Sequence, residues 1–169
     1  MPLCYAGLLI LIASWSSVHA GGEALPAGTV VDLIVVEKNA RILSVYRSKK
    51  LLKSYKIALG SNPRGPKERE GDGRTPEGVY QIDARKLDSE FHRSLHISYP
   101  SRADRRRAKR HHVSPGADIV IHGQPNDMDE AERTRLSPDW TNGCIAVTDE
   151  EIEELWRAVP NGTRIVIKP

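Results

Sequence analysis

The chain has 169 residues, with 25 Lys and Arg against 22 Asp and Glu, for a net charge of +3. That length suits one domain with its own core, and an aromatic content of 5% excludes an aromatic-rich ligand groove. Of the 2 cysteines, Cys4 and Cys144, only the second lies beyond the first 20 residues.

Residues 1–20 contain no Lys, Arg, Asp or Glu. Leu8 to Ala13 is an apolar core, Ser14 to Ser17 follows, and Val18-His19-Ala20 precedes Gly21-Gly22. This pattern reads as an export signal with an A-x-A-like cleavage site. The apolar run is too short for a membrane span of about 20 residues. Cys4 comes before that run, too early for lipid attachment. The expectation is a mature chain from Gly21, in the periplasm or cell envelope, with no membrane span after cleavage. With one thiol it can form no internal disulfide, so packing must hold the fold in an oxidising compartment.

Residues 21–29 are rich in Gly, Pro and Ala and read as a linker to a single domain over residues 30–169. Val30 to Glu37, Ile42 to Arg47 and Leu51 to Leu59 read as an antiparallel meander, with a turn at Asn39-Ala40. Gly60 to Gly73 is a loop of Gly, Pro and charged residues. Short strands are expected at Gly78 to Ile82, Leu95 to Tyr99 and Asp118 to His122. Gly123 to Asp139 reads as a long polar connection. Thr148-Asp149-Glu150-Glu151 is a capping box that opens a helix. Ile152, Leu155, Trp156 and Val159 fall on one face of that helix, and Pro160-Asn161-Gly162 ends it. Thr163 to Ile167 closes the fold as a strand. The fold class is therefore mainly β, a curved sheet or sandwich with a few short helices.

An unpaired cysteine in an exported chain needs a reason, and nucleophilic catalysis supplies one. A free thiol is mostly protonated at neutral pH, so Cys144 needs a base nearby. His122, at the end of Asp118-Ile119-Val120-Ile121 and followed by Gly123, is the candidate. Gly143 lets backbone N–H groups approach a developing oxyanion. Taken singly, Cys144 would be a core residue and His122 a satisfied polar group; together, with glycines beside both, they read as a catalytic pair.

The residues that carry this reading resemble the YkuD family of L,D-transpeptidase catalytic domains. The resemblance spans Val30 to Lys168. It rests on Ile121-His122-Gly123, on Thr141-Asn142-Gly143-Cys144-Ile145, on Gly71-Asp72-Gly73-Arg74-Thr75-Pro76-Glu77-Gly78, and on His96-Ile97-Ser98-Tyr99-Pro100 with Asp104. Asn142 stands where the family turn commonly has histidine, and Ala146 where Arg or Asn is common. The Asp139-Trp140-Thr141 lead marks a subgroup in which transfer and hydrolysis stay open. The resemblance implies a Cys144 thioester formed on peptidoglycan stem peptides between meso-diaminopimelate and D-alanine, with His122 as base and acid and the Gly143 and Cys144 N–H groups as oxyanion donors. It implies substrate contacts from Arg74, His96, Tyr99, Gly123, Trp140, Thr141 and Asn142, and no metal or cofactor. An amine resolves the thioester in a transpeptidase. Water resolves it in the alternative, a hydrolase that cuts a peptide–wall or lipoprotein–wall bond, with a wall-attached lipoprotein as partner.

Other classes fit less well. A silent wall-binding module has no use for the thiol, and a thiol protease of another family would show a Cys-Gly-x-Cys-Trp-like signature. Arg102, Arg105, Arg106, Arg107, Lys109 and Arg110 read as a solvated helix face rather than a nucleic-acid patch, since an exported protein meets little nucleic acid. His111-His112 lacks ligand partners at metal spacing. Trp140 either walls the groove or packs against Trp156.

Overall fold

A computed structural model describes residues 23–169. The expected signal over residues 1–20 lies outside them, as does the start of the expected linker. Strands β1 (Leu33–Glu37), β2 (Ile42–Arg47) and β3 (Lys50–Lys56) form the antiparallel meander. The chain continues through β4 (Gly78–Ser89), β5 (His92–Ile97), α1 (Arg102–Arg110), β6 (Val120–His122), α2 (Glu130–Arg133), β7 (Ile145–Ala146), α3 (Asp149–Ala158) and β8 (Arg164–Lys168).

The strands make one sheet in the order β3-β2-β1-β8-β4-β5-β6-β7. The β1–β8 and β6–β7 pairs are parallel and the others antiparallel. The segment after β3 reaches across to the opposite edge, where Ala58 bridges Ala146 and Gly60 bridges Thr141. The sheet is thereby curled into a half-barrel, the mainly β architecture expected.

Alternate residues fill the inside of the curl. Ile34, Leu43, Val45, Ile82, Leu95, Ile121, Ile145 and Ile165 are fully buried. Burying each such side chain stabilises the fold by about 1.5–3 kcal/mol. Helix α3 covers part of this core. Its Thr148–Glu151 capping box forms as expected, and Ile152 and Leu155 enter the core. Trimming Leu155 to Ala would cost about 2–5 kcal/mol.

The structure departs from the expected elements most clearly in β4, β5 and the polar connection, while β1, β3 and β6 fall a few residues short of the expected runs. Strand β4 runs to Ser89 instead of Ile82, because β5 pairs it well beyond its apolar part. Strand β5 starts at His92 instead of Leu95 and ends at Ile97. One turn of helix, α2, sits in the expected polar connection, capped reciprocally by Asp129 and Glu132 and burying no side chain. The basic run forms a helix, α1, as expected, behind a Ser101–Asp104 capping box, with Asp104 and Ala108 buried. The described part of the linker lies against α3: Leu25 N–H donates to the Glu154 carboxylate and Val31 N–H to the Ala158 carbonyl.

Candidate active site

Strands β6 and β7 run parallel, with Ile121 beside Ile145 and His122 beside Ala146. Side chains alternate along a strand, so Ile121 and Ile145 enter the core and His122 takes the other face. Cys144, two residues before Ala146, falls on that same face. Strand β5 places Ser94 beside His122 and His96 beside Val120, extending the face. A cavity of about 500 Å³ over it is lined by His96, Asp118, His122 and Cys144, among others. A larger cavity, of about 1270 Å³, meets Cys144 from the other side, with Lys67, Arg105, Lys109, Asp118 and Asn142 in its wall.

His122 is buried, and its Nδ1 lies 2.7 Å from the Gly123 carbonyl. The carbonyl can only accept, so Nδ1 carries the proton and Nε2 is the basic nitrogen of the neutral ring. Phe91 and Trp140 hold the imidazole, with ring centroids 4.5 and 5.5 Å away. Burial pushes the His122 pKa below the ordinary histidine value, against the opposing pull of the Gly123 hydrogen bond. Cys144 is half-buried, and its thiol donates to the Asp118 carbonyl at 3.6 Å. Burial pushes the thiol pKa up, while the Val120 backbone and the Lys67 charge pull it down. Both shifts favour the neutral pair, thiol and imidazole, over a thiolate and an imidazolium.

The cysteine turn is held from three directions. Thr141 is buried, and its hydroxyl accepts from the Gly143 N–H at 3.1 Å and donates to the Cys144 carbonyl at 2.8 Å. Residues 58–61 strap the turn through four backbone bonds that pair Ala58 with Ala146 and join Thr141 to Leu59 and Ser61. Asp139 accepts from the Leu59 N–H at 3.2 Å and pairs with Arg41 at 2.6 Å.

The loop from Gly60 to Glu77 supplies the third support. Gly143 has φ +123°, and a Cβ there would meet the Arg74 carbonyl oxygen at 2.6 Å. A Cβ on Gly60 would overlap the Gly73 carbonyl. Within the loop, Asp72 accepts from the Glu68, Arg69 and Arg74 N–H groups and from Lys67 Nζ. Burial would raise its pKa, but these donors hold it down at about 2. Buried Lys38 ties the ends of the loop, donating to the Gly65 and Thr75 carbonyls and pairing with Glu77 at 2.9 Å.

The structure brings some of the expected site residues together and not others. Cys144, His122 and His96 line one cavity, and the exposed Asn142 lines the other. Gly143 differs from the expectation, because its N–H is turned to the Thr141 hydroxyl. The Cys144 N–H has no hydrogen-bond partner among the described residues. Thr141 positions the turn from below. Tyr99 is buried, and its hydroxyl donates to the Pro115 carbonyl at 2.7 Å. Gly123 serves close packing, since a Cβ would meet Asp149 Oδ1 at 2.5 Å. The Arg74 guanidinium reaches the Pro66 carbonyl and Glu68 and lines a separate cavity of about 600 Å³. Trp140 packs on His122 and Phe91, while Trp156 lies under Arg85 and Arg93. Phe91 and Asp118 gave no sequence signal, since each meets the site only through tertiary packing. Among the described residues no group of three or more His, Cys, Asp or Glu could hold a metal.

A family model described as "YkuD: L,D-transpeptidase catalytic domain" matches residues 31–167. This chain belongs to the YkuD family. The curated Escherichia coli (strain K12) protein named "Putative L,D-transpeptidase YafK" is 30% identical over 161 residues, covering 92% of this chain and 57% of that one. The chain thus spans little more than half the length of that relative. Among solved structures, the helical cell shape determining protein Pgp2 from Campylobacter jejuni matches with a TM-score of 0.64 at 26% identity, over 86% of this chain and 50% of that one. An L,D-transpeptidase from Xylanimonas cellulosilytica shares the YkuD fold at 14% identity, with a TM-score of 0.51 over 88% of this chain and 66% of that one.

Proposed function

We propose that this chain is a cysteine L,D-transpeptidase that acts on peptidoglycan stem peptides in the periplasm or cell envelope. The observation that carries the reading is the shared face: His122 ends β6, Cys144 immediately precedes the parallel β7, and the two line one cavity. The apolar run and Val18-His19-Ala20 support export. Family membership supports the substrate class.

Cys144 Sγ attacks the carbonyl carbon between meso-diaminopimelate and D-alanine. His122 Nε2 takes the thiol proton as the C–S bond forms, then gives it to the departing D-alanine nitrogen. Of the two N–H groups expected to hold the oxyanion, that of Cys144 has no partner among the described residues and takes the role, while that of Gly143 is bonded to the Thr141 hydroxyl. An amine resolves the thioester, and the elevated thiol pKa favours return to the neutral Cys144 thiol. The test is intact mass after mixing with a stem tetrapeptide. The expected adduct is the tripeptide acyl group on Cys144, and free D-alanine should appear with it. Cys144→Ala that still releases D-alanine would overturn the reading. A tripeptide acid as sole product, with acceptor amine present, would make the enzyme the hydrolase alternative.

A further inference from the structure

The β4–β5 ladder breaks register beside the site. Ile82 pairs with Ile97 and Ala84 with His96, which leaves Asp83 as an extra residue. A bulge of this kind re-aims a side chain. Here it sets Asp83 Oδ1 2.6 Å from His96 Nδ1. The carboxylate accepts, so Nδ1 holds a proton and Nε2 is left for a ligand. Nε2 lies 3.9 Å from Asp118 Oδ1, and the carbonyl of the same Asp118 is the group that meets Cys144 Sγ at 3.6 Å.

The two histidines of this cavity are held differently. His122 is buried under two aromatic rings and bonded to a carbonyl, whereas the His96 side chain is 31% exposed and lies between two carboxylates. Glu90 and Lys86 also line the cavity, and the Arg85 guanidinium is turned away onto the Trp156 ring at 3.9 Å. The charged group that faces His96 Nε2 is the Asp118 carboxylate, at 3.9 Å and open to solvent. A primary amine reaches a neutral-pH site as an ammonium, with no lone pair until it loses a proton. It needs both a carboxylate to hold it and a base to deprotonate it.

We propose that His96, positioned by Asp83, is the base for the incoming nucleophile, and that this nucleophile is a primary ammonium held by Asp118. The inference rests on the thioester reading given above. The ammonium gives one proton to His96 Nε2 and the free amine attacks the thioester carbon. The C–N bond forms and the C–S bond breaks. The second nitrogen proton returns to sulfur through His122, and His96 releases its proton to solvent. The balance is thioester plus ammonium giving amide, thiol and one proton. His122 then serves the leaving group and His96 the entering one.

The test compares two acceptors on full-length enzyme acylated by a stem tetrapeptide: meso-diaminopimelate, an ammonium, and hydroxylamine, which is unprotonated at neutral pH. His96→Gln should leave Cys144 acylation, read by intact mass, within about twofold of the parent. It should slow transfer to diaminopimelate by about 10²-fold, the scale of a lost general base, and spare transfer to hydroxylamine. Asp83→Asn should show the same selectivity with a smaller loss, about tenfold. Equal transfer to both acceptors in His96→Gln would overturn the proposal, as would equal losses in acylation and in both transfers. A parent that acylates yet yields no amine product overturns it too. A parent that never acylates Cys144 removes the thioester reading itself, and the intact mass tells that failure apart from failure of His96.

Discussion

The backbone carbonyl of Arg74 lies 2.6 Å from where a side chain on Gly143 would begin. The two positions are far apart in the chain, and that contact sets the cysteine turn against the loop. Gly143 also has φ +123°, a conformation that side chains rarely adopt. Gly143→Ala should destabilise the protein by about 1–3 kcal/mol in denaturant melts. It should slow acylation of Cys144 by about 10²-fold, because displacing the sulfur by an ångström is enough to do so. Arg74→Ala keeps the carbonyl and loses only a partly exposed ion pair with Glu68, so its stability should stay within about 1 kcal/mol of the parent.

A carbapenem offers Cys144 a strained acyl group. The parent should gain one adduct by mass spectrometry, mapped to the peptide that holds Cys144. Cys144→Ala should gain none. His122→Ala should acylate about 10²-fold more slowly, for want of a base. Both variants should keep the parent's circular dichroism. An adduct on Cys144→Ala would locate the nucleophile elsewhere.

The directions of the two pKa shifts predict how the thiol titrates. Burial raises Cys144 and lowers His122, so both shifts act against an imidazolium that would draw the thiol down. Iodoacetamide alkylation should rise with pH and reach its midpoint above about 8.5, the value of a free cysteine. His122→Ala should move that midpoint little. Alkylation that is fast and flat from pH 5 upward, and that slows in His122→Ala, would reveal a preformed ion pair instead.

Asp72 gives a stability signature in acid. Its folded pKa of about 2 lies below the ordinary aspartate value of about 3.9. The unfolded chain therefore binds the proton first, and the contribution of Asp72 is complete above about pH 4 and lost as pH falls toward 2. Asp72→Asn should cost about 1 kcal/mol at pH 7, discounted for partial solvent screening, and the gap to the parent should close near pH 2. A gap unchanged between those pH values would mean that the side-chain shape, not its charge, organises the loop.

Much of this architecture was legible in the sequence because it is locally encoded. The meander announces itself by alternation, and α3 by a capping box followed by Ile152 and Leu155 on one face. Cys144 and His122 stood out because their residue types and neighbouring glycines are chemically unusual together. The far half of β4 was not legible. Asp83 to Ser89 shows no apolar alternation, and only pairing with β5 makes it a strand. The Asp83–His96 contact depends on a register shift that no local pattern announces. Tyr99 misled for the opposite reason: its place in a family-like segment suggested a substrate contact, while its neighbours bury it. Gly143 looked like an oxyanion donor by position, and only the Thr141 hydroxyl shows where its N–H goes.

Strand β8 is the last of the eight strands among the described residues, yet it lies fourth across the sheet, with β1 on one side and β4 on the other. A nascent chain can zip β1, β2 and β3 together as they emerge, but β4 has no seat beside β1 until Arg164 to Lys168 arrive to lie between them. The two cavities at Cys144 draw their walls from segments as distant as Ser61 and Cys144, and those walls meet only when the sheet curls shut. The order of synthesis thus delivers the cysteine before the strand that joins β1 to β4 and completes the sheet around it.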